Sequence, residues 1–258
     1  MKYALFHVAL PFLVCVALAN TRLFDNVAVD LSYEDYAEKV VDYLPAFLAM
    51  PFNSLINVGY IVVGFYWLFR RTSSGETRES RYVRQVFALT AIFYAPVQWT
   101  RLTTMRRAPA VLDQWFTLPI FAWVPVWCNF IEGGALLRPW FALAVQLCSV
   151  LSYGLTLVHA RGFEVALGCH VVVAVHRGVR AHRLCGDPRS RRLLLLAGTC
   201  CGGFVALKLL DHWLARYTVF QHVTGHFWSK VCDVLQFHFT FGLLTHLTER
   251  AQAMTKRR

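Results

Sequence analysis

Eight apolar runs follow one another along this chain, at roughly 3–19, 46–69, 85–100, 114–131, 139–159, 162–177, 193–210 and 222–247. About 20 apolar residues carry a helix across the ~30 Å hydrocarbon core of a bilayer. In that medium every backbone N–H and C=O must find a partner within the chain, which leaves helices or a closed barrel. Runs of this length are helical. The sequence therefore predicts an all-α membrane protein, a seven-helix transmembrane bundle with an additional N-terminal apolar segment. Composition agrees, with 57% hydrophobic residues, 16% charged residues and a mean hydropathy of +0.44. The first run has two readings. It is a retained anchor, or it is a signal peptide, since Lys2 precedes an apolar stretch closed by the small residues Ala17 and Ala19. The sixth run is the weakest span, because it is short and carries Glu164, His170 and His176.

The loops set the expected orientation. Arg70, Arg71, Arg78, Arg81 and Arg84, then Arg138, then the arginines from Arg177 to Arg192, then the tail with Arg250, Lys256, Arg257 and Arg258 all fall on one side. The other side holds fewer basic residues, among them Arg22, Lys39, Arg101 and Arg216, and an acidic loop with Asp25, Asp30, Glu38 and Asp42. The positive-inside bias puts the rich side and the C-terminus in the cytosol, in the secretory system or the plasma membrane. This accounts for the net charge of +11. No basic patch is interleaved with base-stacking aromatics, so nucleic acid is not the expected partner. The organisation is an apolar segment at 1–20, an acidic loop at 21–45, a bundle at 46–247 and a basic tail at 248–258, with no repeat. Eight cysteines lie mostly in the apolar runs without a CxxC pair, which reads as packing.

Ionisable residues inside these runs are the functional signal, since charge in a bilayer is costly and faces a bundle interior. His222, His226, Lys230 and Asp233 fall on one face of a helix at about 100° per residue. Alternating topology brings Asn53, Asn57, Asp113, Lys208, Asp211, His226, Lys230 and Asp233 towards one non-cytosolic leaflet as a polar pocket. Each has a plainer reading. Asn53 and Asn57 can bond between helices. Asp113 can cap a helix from Gln114 onward. Lys208 with Asp211, and Lys230 with Asp233, can pair locally. His238 and His246 read as packing or interfacial residues. His222 and His226, at i and i+4, could clasp a metal with Asp113 as third ligand.

The segments Leu44–Leu55 (LPAFLAMPFNSL), Ala110–Trp123 (AVLDQWFTLPIFAW), Lys208–Arg216 (KLLDHWLAR) and Thr224–Phe239 (TGHFWSKVCDVLQFHF) are similar to the transmembrane protein 187 family, a match over nearly the whole chain. A more distant likeness is to the alkaline ceramidases and the progestin and adipoQ receptors. Asn53-Ser54-Leu55-Ile56-Asn57 resembles the Asn-Thr-x-Ser-Asn pattern of their first span. Leu112-Asp113 with Pro119 resembles their Leu-Asp-Glu-Leu-Pro, and Asp211 resembles the Asp after their sixth span. His226-Phe227-Trp228-Ser229-Lys230 resembles their His-x-Trp-x-His, with Lys230 at the second metal ligand. Their Ser-x3-His has no counterpart here; Tyr94 to Arg101 stands in its place. The likeness implies a degenerate, non-catalytic ceramidase-like bundle without a cofactor, which binds a lipid or acts as a receptor. The alternatives are a zinc-dependent lipid amide hydrolase using Asp113, His222 and His226, or a transporter whose path runs along Lys208, Asp211, Lys230 and Asp233.

Overall fold

The computed structural model describes residues 1–70, 76–221 and 223–256. Each apolar run lies in a helix or a closely spaced pair: α1 (Lys2–Ala19), α2 (Pro51–Leu55), α3 (Asn57–Phe69), α4 (Arg78–Thr104), α5 (Arg107–Glu132), α6 (Pro139–Ser152), α7 (Gly162–Cys185), α8 (Pro188–Leu209), α9 (Asp211–Leu214) and α10 (Gly225–Lys256). Short 3-10 turns and loops make up the remainder of the described residues, without a strand. The second run is interrupted at Ile56, between α2 and α3. Pro51 starts α2, where its missing N–H costs nothing. The sixth run is longer than its apolar core implied, at 24 residues.

Local chemistry sets the ends. Thr77 caps α4 by accepting the Ser80 N–H at 3.2 Å, and Met105 ends it in the left-handed region at φ 46°. Asp187 caps α8 in a reciprocal box with Ser190, ahead of Pro188. In α5 the interior prolines Pro119 and Pro125 are accommodated in a continuous helix.

The long helices run up and down, so the loops collect at two ends. At one end Arg101 pairs with Asp30 at 2.9 Å, Arg107 donates to the Val27 carbonyl at 2.6 Å, and Ala37 N–H reaches Asp211 at 3.2 Å. At the other, Gln252 donates to Ser80 at 2.6 Å, and His246 and Arg250 hold Asp187 at 2.9 and 3.2 Å. Of the two readings, packing or interfacial, His246 fits the second: it is a polar partner of the α7–α8 turn.

Among the described residues, five segments are long and apolar enough to cross a membrane: Lys2–Ala19, Pro51–Phe69, Pro139–Leu157, Gly162–Cys185 and Pro188–Leu209. Helices α4, α5 and α10 are 27, 26 and 32 residues long, ample in length, but carry more polar residues. Most of α4 and α5 is buried, around an aromatic core of Trp67, Trp123, Trp127, Phe87, Phe237 and Phe241. Trp123 and Trp127 sink their rings there because each indole N–H finds an acceptor, the Val83 carbonyl at 2.8 Å and the Thr248 hydroxyl at 3.0 Å. By contrast α6, α7 and α8 leave Leu147, Leu151, Val172, Leu195 and Leu209 exposed, an apolar surface suited to lipid contact.

Helix α1 is seated on the bundle. Ala4 and Val8 are buried, His7 meets the Tyr82 hydroxyl at 2.8 Å, and the His7 ring stands edge-on to Trp123 with centroids 5.0 Å apart.

Candidate functional site

The polar residues converge at the end closed by the 21–45 loop. The centre is Asp113, well inside α5 rather than at a helix cap, because α5 begins seven residues earlier than the apolar run implied, at Arg107. Its two carboxylate oxygens accept hydrogen bonds from α4, one from Gln98 and one from Arg101. Gln98 also donates to the Tyr94 hydroxyl at 2.5 Å. That hydroxyl meets Thr117 at 3.3 Å and accepts from the Lys230 ammonium at 3.4 Å. Arg101 continues outward to Asp30 at 2.9 Å. The network thus runs from the loop, through α4 and α5, to α10.

Lys230 and Asp233 lie three residues apart and are both buried, yet they form no ion pair with each other among the described residues. Asp233 instead accepts the Tyr60 hydroxyl at 2.5 Å. The Lys230 ammonium lies 5.3 Å from the Tyr94 ring centre and 5.9 Å from that of Tyr60, within cation–π range. The two tyrosine rings meet edge to face at 5.1 Å.

Two carboxylates at this end serve helix N-termini, where unpaired N–H groups and the helix dipole favour negative charge. Glu38 from the loop accepts Phe52 and Asn53 N–H at 2.8 and 2.9 Å, at the start of α2. Burial pushes the Glu38 carboxyl above its ordinary range, and those two N–H groups oppose the rise. Asp211 accepts the His226 N–H at 2.7 Å, at the start of α10, and the Ala37 N–H from the loop. The local Lys208–Asp211 pair is therefore not formed: both Asp211 oxygens face backbone donors, and the Lys208 side chain is exposed. Tyr36 closes the loop over the site, its ring edge-on to His226 at 5.2 Å and 5.8 Å from the Arg101 guanidinium. Burial pushes the Tyr36 phenol up to about 12, against the opposing pull of Arg101.

Asn57 bonds within its own chain segment, donating to the Asn53 carbonyl at 2.9 Å, rather than across to another helix. The side-chain N and O of Asn53, the hydroxyls of Ser54 and Ser229, and the Asn57 side-chain O are buried without a partner among the described residues. Buried polar groups normally have partners, so these atoms at the starts of α2, α3 and α10 are ones that a water or a bound group would satisfy.

The sequence-derived residues thus divide. Asp113 and Lys230 join one network, with Asp233 beside it through Tyr60. Asn53 and Asn57 flank it. Asp211 and Glu38 brace helix ends, His226 packs against Tyr36, and Lys208 forms no hydrogen bond or ion pair among the described residues, although its charge is within electrostatic reach of Asp113 and Asp233. His222 lies outside the described residues. Among those described, no three His, Cys, Asp or Glu side chains are grouped as a metal site requires. The members that sequence reasoning missed are Tyr94, Gln98 and Arg101. Their i, i+4, i+7 spacing on α4 is the signal that could have found them.

Residues 4–245 match the family model described as the TMEM187 protein family. The chain is 54% identical over 243 residues to "Transmembrane protein 187" of Homo sapiens, covering 94% of this chain and 92% of that protein. It is 51% identical over 248 residues to "Transmembrane protein 187" of Bos taurus, covering 95% and 96%. No solved structure matches the chain.

Proposed function

The chain belongs to the TMEM187 protein family, and on that premise we propose that this multi-pass membrane protein is a non-catalytic binding bundle. In this reading seven spans surround the polar site, α1 is a retained eighth, and the site faces the non-cytosolic leaflet. Its occupant is the headgroup of a bilayer lipid.

The observation that carries the reading is the Lys230 ammonium. It has three N–H donors, is buried, and among the described residues makes one long hydrogen bond, to Tyr94 at 3.4 Å. An under-bonded buried cation calls for acceptor atoms. The unpartnered amide of Asn53, the side-chain oxygen of Asn57 and the hydroxyls of Ser54 and Ser229 add neutral donors and acceptors at this end. A headgroup with hydroxyl, amide or phosphate oxygens supplies what these atoms lack.

The distant ceramidase likeness supports the same reading in degenerate form. Lys230 stands where that pattern has a metal-binding His. Arg101 and Gln98 occupy the oxygens of Asp113, the carboxylate that the hydrolase alternative needs as a ligand. A guanidinium and an amide N–H that already hold both carboxylate oxygens do not fit a divalent cation, so zinc chemistry has no ligand in Asp113 here.

The test is native mass spectrometry with elemental analysis on the full chain purified in mild detergent. The expected result is a co-purifying lipid that Lys230→Met releases, since this change keeps length and removes the charge. Equal lipid retention in Lys230→Met and the parent would overturn the site. Near-stoichiometric zinc that disappears in His226→Ala would overturn the non-catalytic reading and restore the hydrolase.

A further inference from the structure

A second feature lies at the opposite end of the bundle, one helix length of α8 away. The α7–α8 turn borders an open cavity of about 670 Å³, whose lining includes His182, Arg183, Asp187, Arg191, Arg192 and Leu195. That volume lies within the ~300–1,000 Å³ of small-molecule sites and exceeds what one phosphate fills.

The charge around it is unbalanced. Several other basic residues at this end are paired: Arg84 with Glu76 at 2.9 Å, Arg177 with Glu132 at 3.1 Å, and Arg250 with Asp187 at 3.2 Å. Arg183, Arg191 and Arg192 are exposed and form no ion pair among the described residues. The acid in the lining is Asp187, and its charge is committed. It accepts the Ser190 N–H at 2.8 Å, His246 at 2.9 Å and Arg250 at 3.2 Å. Three free guanidiniums remain on the rim, each able to take a phosphate through two parallel N–H bonds.

The walls below the arginines are apolar. Leu195, 61% exposed, and Leu196 line the cavity from α8, and Leu184, next to Arg183 on α7, is 56% exposed; both helices are long and apolar enough to cross a membrane. A ligand bound here has its anionic part among the arginines and its remainder against leucines that face hydrocarbon.

We propose that this cavity is a headgroup site for a membrane lipid carrying more than one phosphate. Three arginines match several phosphates better than the single one of an ordinary phospholipid, and the leucine walls place acyl chains beside the headgroup. Basic pockets between spanning helices bind such headgroups by this combination of charge and depth.

The experiment uses the detergent-purified full chain and a fluorescent dioctanoyl phosphatidylinositol bisphosphate, with binding read by anisotropy. Dioctanoyl phosphatidylcholine and free inositol trisphosphate are the competitors. The bisphosphate lipid is expected to bind and to be displaced by itself but poorly by phosphatidylcholine. The triple change Arg183→Gln, Arg191→Gln, Arg192→Gln should weaken binding on the order of a hundredfold. All three side chains are exposed, so the fold should tolerate it, as an unchanged melting curve would confirm. Arg22→Gln, Arg106→Gln, Arg216→Gln removes as much charge from exposed arginines at the other end and should leave binding unchanged. Equal weakening by both triples would overturn the site as non-specific attraction. Inositol trisphosphate competing as well as the lipid, or Leu195→Gln leaving lipid affinity unchanged, would overturn the lipid as ligand.

Discussion

Removing the Asp113 carboxylate should unfold the polar centre more readily than removing its guanidinium partner. The Arg101 and Asp113 side chains are 8% and 9% exposed and in direct contact. Breaking a buried ion pair by deleting one member costs about 3–5 kcal/mol, because the survivor stays desolvated and unpaired. The two survivors are unequal. In Asp113→Leu the guanidinium keeps, among the described residues, the Tyr36 ring at 5.8 Å and Asp30, whose side chain is 58% exposed and whose charge is screened by water. A guanidinium cannot shed its charge, and Gln98 also loses an acceptor. In Arg101→Leu the carboxylate keeps Gln98 and can take up a proton. We therefore expect Asp113→Leu at the upper end of that range, Arg101→Leu about 1–2 kcal/mol lower, and the double variant milder than Asp113→Leu alone, since a paired apolar replacement leaves no stranded charge. Reversible unfolding in mixed micelles, run as a double-mutant cycle, measures this directly. Additive effects, or a double variant worse than either single one, would show that the pair is not coupled and that the network is drawn wrongly.

Three further outcomes follow from particular contacts. A Cβ at Gly225 would stand 2.8 Å from the Leu207 carbonyl and 3.0 Å from the Asp211 backbone, whereas one at Gly168 meets nothing within 4 Å; Gly225→Ala should cost about 1–3 kcal/mol in detergent melting and Gly168→Ala nothing, and equal effects would contradict the close seat of α10. The Ser190 N–H, with His246 in support, holds the Asp187 carboxyl below its usual range. Its stabilisation is therefore complete above about pH 4 and fades only as pH falls through the lowered value; hydrogen exchange at Ser190, corrected for intrinsic rate, should show equal protection at pH 7 and 5, and loss by pH 5 would refute the cap. Because Ala4, His7 and Val8 are packed on the bundle, N-terminal sequencing of the mature protein should return Met1 or Lys2; a chain beginning at Asn20 would show α1 to be a cleaved signal.

Each apolar run gave a helix or a closely spaced pair, since local hydropathy alone decides whether a segment seeks lipid or water. What stayed hidden was partnership. Lys208–Asp211 and Lys230–Asp233 offered local pairs at the right spacing, yet Asp211 turns to N–H groups at Ala37 and His226, and Asp233 to Tyr60 across 173 positions of chain. Carboxylates go where donors are otherwise unpaired, and helix N-termini and buried phenols are revealed only once the helices are assembled. The acidic loop was legible as acidic but not as a brace, because Asp30 and Glu38 find their partners on α4 and at the start of α2. Arg101 illustrates the limit most directly. Counted as one of the basic residues outside, it serves no topological purpose once it is bonded to Asp113 and Asp30.

The same argument explains why α4, α5 and α10 fall outside the five apolar spans although they are long and central. Hydropathy measures what a helix presents to lipid if it stands alone. A helix ringed by others meets little lipid, so its polar residues are limited by partners rather than by the bilayer. Gln98, Arg101, Asp113, Lys230 and Asp233 sit on these three helices, and four of the five have a close polar partner in another helix or loop. The reduced apolarity of a segment inside an otherwise apolar chain is thus itself a positional signal. It marks the helices that stand in the middle.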